Sequence, residues 1–180
     1  PPSRAFRLME NLGLLAPLLP ELAALRGVPQ GKVVPGDALD HSLRTVDALP
    51  HTDPVLRLTG LLHDLGKATT LADGHFIGHD EVGAELAGEL MRRLRFGRDQ
   101  IGRVTHLIRQ HMFAYTSDWT DAAVRRFIQR VGTGNLDDLF ALRRADNAAS
   151  GVSEPPEGGL AELRSRIGRQ LESAPLDQRQ

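Results

Sequence analysis

Apolar residues along this chain recur at the three- and four-residue spacing of amphipathic helices, and no long stretch alternates apolar with polar. The pattern predicts an all-α fold, a compact helical bundle with an N-terminal helical lead-in and a C-terminal amphipathic helix. A first helix over about residues 3–15 is broken by Pro17 and Pro20, and a short helical piece covers about 21–25. Residues 27–36, with Pro29, Gly31 and Pro35, read as a loop. A helix over 37–49 sets Leu39, Leu43 and Val46 on one face and ends at Pro50. Segment 54–65 is apolar nearly all round, which marks a buried central helix with Gly66 placed to terminate it. A loop rich in Gly and Thr then leads to Asp80, the expected N-cap of a helix reaching about residue 94, whose buried stripe is Val82, Leu86, Leu90 and Met91. Further helices are expected over 99–112, 121–131 and 136–149, separated by an aromatic loop at 113–119 and by Gly132 and Gly134. Pro155, Pro156, Gly158 and Gly159 mark a linker. The last helix, 160–173, carries Leu160, Leu163, Ile167 and Leu171 on one face, which must dock on the bundle or on a neighbouring domain. Residues 175–180 are expected to fray.

Composition narrows the picture. A chain of 180 residues with 41% hydrophobic content can bury one core of ordinary size. Its 22 Lys and Arg balance 23 Asp and Glu, so any contact with nucleic acid must be local. No stretch approaches the roughly 18 apolar residues of a membrane span, and no basic region followed by an apolar run opens the chain, so a cytoplasmic protein without a membrane partner is expected. The absence of cysteine leaves His, Asp and Glu as metal ligands and favours a hard or borderline divalent ion. The opening Pro1-Pro2-Ser3, without an initiator methionine, suggests a processed product or a segment of something longer. Nothing in the sequence speaks to oligomeric state.

Several polar residues stand where a core should be. His63 and Asp64 end the most apolar segment of the chain. An unpartnered carboxylate there would cost several kcal/mol, so Asp64 needs a cation, a metal or many hydrogen-bond donors. Asp146 follows Leu139 and Leu142 on the apolar stripe of its helix, and His111 shares a stripe with Ile101, Val104 and Ile108. Any one of these has a plain alternative: a hydrogen-bonded core histidine, a helix cap, an Arg partner. Together, His41, His63, Asp64 and Asp146 on separate helices follow the way bundles assemble metal sites from facing helices.

A His, then His-Asp, then a distant Asp resembles the signature of the HD superfamily of phosphohydrolases. The likeness extends further. Leu18-Leu19-Pro20-Glu21, Gly27-Val28-Pro29-Gln30, Asp37 with His41, His63-Asp64-Leu65-Gly66-Lys67, Gly78-His79-Asp80-Glu81 and Arg93-Leu94-Arg95 resemble the C-terminal HD region of bacterial tRNA nucleotidyltransferases, the CCA-adding and poly(A) polymerase family. The resemblance covers about residues 6–151, without the nucleotidyltransferase head that precedes this region in the family. It implies a lead-in over 1–36, an HD domain over 37–151, and a linker with a C-terminal helix over 152–180. Two positions depart from the family: Ser42 where Thr is common, and Asp80 where Glu is common.

By resemblance, His41, His63, Asp64 and Asp146 would bind one divalent ion, and His79 and His111 stand in chain order where some relatives hold a second ion or a phosphate. Mn, Mg, Ni, Co or Fe would serve, as one or two ions. Such ions activate water near neutral pH and neutralise phosphoryl oxygens, which implies hydrolysis of nucleotide phosphoesters, of 2′,3′-cyclic phosphodiesterase or phosphatase type, by Asp64 and Lys67. The alternative is an accessory HD module that binds tRNA or supports a nucleotidyltransferase head. Lys67, one turn beyond Asp64, would contact a phosphate oxygen or pair with Asp64 itself. Asp37 would orient His41 from the second shell or simply start the helix. His106 is expected to face solvent, and His51 and His75 to lie in loops with no part in chemistry. Arg92, Arg93, Arg95, Arg125, Arg126, Arg143 and Arg144 form either basic surfaces for tRNA or solvated helix faces. Phe113, Tyr115 and Trp119 stack a base or pack the core.

Overall fold

The computed structural model describes residues 1–31, 33–153 and 159–173. The expected linker at Pro155, Pro156 and Gly158 and the frayed end at 175–180 lie outside the described residues. Among the described residues the fold is a helical bundle with one very small sheet. In chain order it comprises α1 (Ser3–Asn11), α2 (Leu15–Leu18), α3 (Pro20–Ala23), α4 (Ala38–Ala48), α5 (Pro54–Leu62), α6 (Lys67–Thr70), β1 (Leu71–Ala72) and β2 (His75–Phe76). Then follow α7 (His79–Arg93), α8 (Arg98–Gln110), α9 (Asp121–Val131), a 3₁₀ turn (Thr133–Asn135), α10 (Leu136–Ser150) and α11 (Leu160–Ser173).

Side-chain caps set several helix starts. Asp37 accepts from Asp40 N at 3.0 Å while Asp40 reaches back to Asp37 N, a reciprocal capping box for α4. Asp53 accepts from Leu56 N at 2.9 Å, with Pro54 at the first helical position of α5. Three expectations are corrected. The lead-in helix stops at Asn11, because the chain turns through Gly13 at φ +70° before α2. The central helix stops at Leu62, before Gly66, and Gly66 has ordinary right-handed dihedrals. Its lack of a side chain matters for packing instead: a Cβ there would lie 2.2 Å from His79 O and 2.7 Å from Gly83 N. The start of α7 is Gly78, held left-handed at φ +74°, and Asp80 sits inside the first turn.

The hairpin β1–β2 was unforeseen. Asp73 and Gly74 both have positive φ, the two-residue turn that an Asp-Gly pair favours.

Two apolar cores hold the bundle. One gathers Leu22, Leu25, Leu39, Leu43, Leu62, Leu65, Leu90, Met91 and Ile108 from the N-terminal side; the other gathers Phe113, Phe127, Phe140, Leu142, Leu163 and Ile167. Helix α4 packs on α5 and α10, α5 on α8, α7 on α8, and α11 on α9. The α7–α8 seam is close because α7 turns Gly83, Ala84, Ala87 and Gly88 inward; Val82 and Leu86, expected in its stripe, are only half-buried. The apolar face of α11 docks on the bundle, its Glu162 accepting from Tyr115 Oη at 2.8 Å. Among the described residues no helix is long and apolar enough to cross a membrane.

Candidate metal centre

Five helices and the turn after a sixth deliver buried polar side chains to one place. His41 comes from α4, His63 and Asp64 from the turn after α5, Lys67 from the start of α6, His79 from α7, His111 from the end of α8, and Asp146 from α10. All are buried, and Asp64 stands at the centre. Its Oδ2 lies 3.6 Å from His41 Nε2, 3.3 Å from His63 Nε2 and 2.7 Å from Lys67 Nζ. Its Oδ1 lies 3.5 Å from His79 Nε2 and 3.8 Å from His111 Nε2. Asp146 Oδ1 approaches His41 Nε2 at 3.1 Å. Two groups therefore have ligand atoms all within 4.8 Å of one another, His41 with His63 and Asp64, and Asp64 with His79 and His111. Asp64 belongs to both.

The helix ends fix which nitrogen each ring presents. His63 Nδ1–H donates to Gly60 O at 2.8 Å and His111 Nδ1–H to Ile108 O at 2.6 Å, each a carbonyl in the last turn of the preceding helix, and Ile108 O also accepts from His111 N at 3.4 Å. His79 Nδ1–H donates to Phe76 O at 2.7 Å, a carbonyl supplied by the hairpin. With Nδ1–H engaged by a carbonyl, each ring turns its Nε2 toward Asp64, the arrangement by which backbone carbonyls orient metal-ligating histidines. His79 Nε2 is buried with no hydrogen-bond partner among the described residues. A set of imidazole nitrogens and carboxylate oxygens without thiolate fits a hard or borderline divalent cation, and an unpartnered buried lone pair is where a cation would bind.

The chain matches the HD domain family model over residues 38–150. This chain belongs to the HD domain family. It is 36% identical over 186 residues to the A-adding tRNA nucleotidyltransferase of Deinococcus radiodurans, an alignment covering 96% of this chain and 42% of that protein. It is 39% identical over 161 residues to the CC-adding tRNA nucleotidyltransferase of Thermus thermophilus, covering 83% and 36%. The Multifunctional CCA protein of Ralstonia nicotianae is 38% identical over 136 residues, covering 72% and 32%. The chain thus spans about two fifths or less of the length of these relatives. It is an HD phosphohydrolase domain related to the HD regions of CCA-adding enzymes.

Electrostatics in this HD domain follow from burial around one carboxylate. Burial alone would raise the Asp64 carboxyl, but the charge and hydrogen bond of His63, with Lys67 and His41, hold it well below the usual range. Asp146 is likewise burdened by burial and lowered by its hydrogen bond to His41 and the charge of His63. Burial depresses His41 more than Asp146 lifts it. Burial also lowers His63, yet Asp64 and Asp146 outweigh it and leave that ring raised. His111, fully desolvated beside His63, is pushed down to about 4 and stays neutral near pH 7.

In this HD domain the remaining candidate residues take the following places. Lys67 pairs with Asp64, and its ammonium also lies 5.4 Å from the Phe76 ring centroid. Asp37 is engaged as the α4 cap, by Gly27 N at 2.7 Å and by Arg26 at 2.9 Å, while His41 Nδ1 has no partner among the described residues. The geometry places Asp37 at the helix start. His106 is half-buried, contrary to its expected exposure, because its Nε2 makes a 2.7 Å hydrogen bond with Val131 O at the end of α9. His51 and His75 are exposed, the latter in β2. Phe113, Tyr115 and Trp119 pack into the second core. Arg93 ties α7 to Glu21 and Leu18 O, and Arg143 lies over Phe113, 3.6 Å from Asp146. Sequence reasoning gave no role to Gln30, whose Oε1 accepts from Lys67 at 3.0 Å, or to Ser150, 3.4 Å from Asp146. Both lie on segments where periodicity carries no sign of a site.

Proposed function

We propose that this domain hydrolyses nucleotide phosphoesters, with 2′,3′-cyclic phosphodiesterase and phosphatase activity, using His41, His63, Asp64 and Asp146 for one divalent ion and Asp64, His79 and His111 for a second. The observation that carries the reading is the division of Asp64, whose two oxygens face two different histidine pairs. When bound, such ions lower the pKa of water toward neutrality and neutralise phosphoryl oxygens. The chain's own residues do the rest. Neutral His111 keeps a lone pair available at neutral pH. Lys67 sets a compact positive charge 2.7 Å from Asp64 Oδ2, beside the position where charge develops on a phosphoryl group. Phe76 and the hairpin cover that ammonium on one side, so the charge acts in a partly desolvated setting.

Assaying the purified chain against nucleoside 2′,3′-cyclic phosphates and 2′-monophosphates with Ni, Co, Mn, Mg or Fe tests this. Turnover that depends on the ion and is lost in Asp64→Ala is expected. No turnover with any ion, or equal rates in Asp64→Ala, refutes it. A second reading is favoured by the names of the relatives, tRNA nucleotidyltransferases and a CCA protein: an accessory module of a cytoplasmic tRNA nucleotidyltransferase-like protein, contributing to tRNA binding. In that reading, residues 1–36 join the HD domain of 37–151 to a nucleotidyltransferase head, and 152–180 form a linker and final helix. Failure of the chain to shift tRNA in a low-salt gel counts against it.

A further inference from the structure

Gln30 ends the Gly27-Val28-Pro29-Gln30 tetrapeptide and is not used by the reaction geometry above. Its loop is anchored rather than loose: Pro29 bridges Asp37, Ala38 N donates to Val28 O at 2.9 Å, and Gly27 N donates to Asp37. From that anchor the carboxamide reaches the cluster, where Oε1 accepts from Lys67 Nζ. The same ammonium donates to Asp64 Oδ2. An ammonium has only donors, so the amide oxygen must face it and Nε2 must point elsewhere. Nε2 is buried and has no hydrogen-bond partner among the described residues. A buried donor without an acceptor is destabilising, which singles this atom out as waiting for one. A cation cannot fill the gap, since an amide nitrogen offers no lone pair and the amide oxygen is already engaged.

We propose that Gln30 is a substrate-binding residue of this centre, its Nε2–H donating to a phosphoryl oxygen seated beside Lys67 while Oε1 holds the ammonium over Asp64. The inference rests on the phosphohydrolase reading. Phosphoryl oxygens are strong acceptors, and the Lys67 ammonium and the Gln30 amide N–H, on neighbouring side chains, would offer such a group two donors. Gln30 thereby supplies orientation where Lys67 supplies charge.

The test uses the full chain loaded with Mn, inorganic phosphate as the probe in calorimetry, and two variants. Gln30→Glu keeps the shape and the acceptor for Lys67 but turns a carboxylate oxygen toward the phosphate. Gln30→Leu removes both groups. The expected result is phosphate binding weakened on the order of tenfold or more in Gln30→Glu, and less in Gln30→Leu, as for loss of a hydrogen bond to a charged group. Metal content and unfolding midpoint should match the wild type in both, and KM for a phosphoester should rise more than kcat falls. Phosphate affinity in Gln30→Glu equal to the wild type would mean that Nε2 faces only water, and would overturn the proposal. So would a loss that tracks a loss of metal in both variants, the mark of a purely structural role. Wild-type protein that binds phosphate and turns over substrate while Gln30→Glu matches it removes Gln30 alone. Wild-type protein that does neither with any ion removes the phosphohydrolase reading and this inference with it.

Discussion

The Nε2 atoms of His41 and His63 face each other at 3.3 Å inside the bundle. Two ring lone pairs cannot meet at that distance without a proton or a cation between them. The raised proton affinity of His63 is the metal-free answer. A cation must displace that proton, so binding releases it and apparent metal affinity rises with pH. Chelator competition at about pH 6 and about pH 8, either side of the ordinary imidazole value, should show tighter binding at the higher pH. A pH-independent affinity would mean that the pair is not a ligand pair.

His111 makes the metal-free protein acid-sensitive. Its folded pKa is about 4 against 6.5 for a free imidazole, so between those values the unfolded chain takes up a proton that the folded chain refuses. Stability therefore falls as pH drops through that window, by up to about 3 kcal/mol for this group. His63, raised, works in the opposite sense, which makes the difference between variants the useful quantity. Urea unfolding of metal-free protein at about pH 7 and about pH 5 should show a smaller loss in His111→Ala than in the wild type. Equal slopes would contradict the desolvated, neutral state of the ring.

Lys67 competes with any cation for Asp64 Oδ2, at 2.7 Å. Lys67→Met should therefore bind metal more tightly while turning over phosphoesters at least about tenfold more slowly, since a donor to a developing charge is gone. Opposite signs for affinity and rate are the signature. Should both fall together, the lysine is structural.

Gly66→Ala should destabilise by about 1–3 kcal/mol, because the new Cβ meets the backbone of His79 and Gly83, which cannot rotate away. The same shift would part Asp64 from His79. A lowered urea midpoint accompanied by weakened metal binding is expected, and an unchanged midpoint would show that α6 and α7 can separate freely.

The helical architecture was legible because periodicity records which face of a helix is buried, and α4, α8, α9, α10 and α11 lie close to the expected spans. Within the cluster, His63, Asp64, His111 and Asp146 were legible because polar groups interrupt apolar stripes there, whereas His41 and His79 were carried by the resemblance to the HD family. What escaped was geometry with no period. The break after Leu62 that swings His63 and Asp64 out of α5 leaves no mark on an all-apolar segment. The Asp73-Gly74 turn is a recognisable hairpin signal, yet its strands span two residues each, too few for alternation to register. That hairpin matters, since Phe76 supplies the carbonyl for His79 and the ring beside Lys67. A glycine after a helix usually ends it, but Gly66 instead admits a neighbouring backbone.

Metal stoichiometry after loading and desalting, measured by mass spectrometry on wild type, His79→Ala and Asp64→Ala, bears most directly on the division of Asp64 between two histidine pairs. Two ions per wild-type chain, one in His79→Ala and none retained in Asp64→Ala are expected. No ion retained by the wild-type chain, or equal retention in Asp64→Ala, would contradict it.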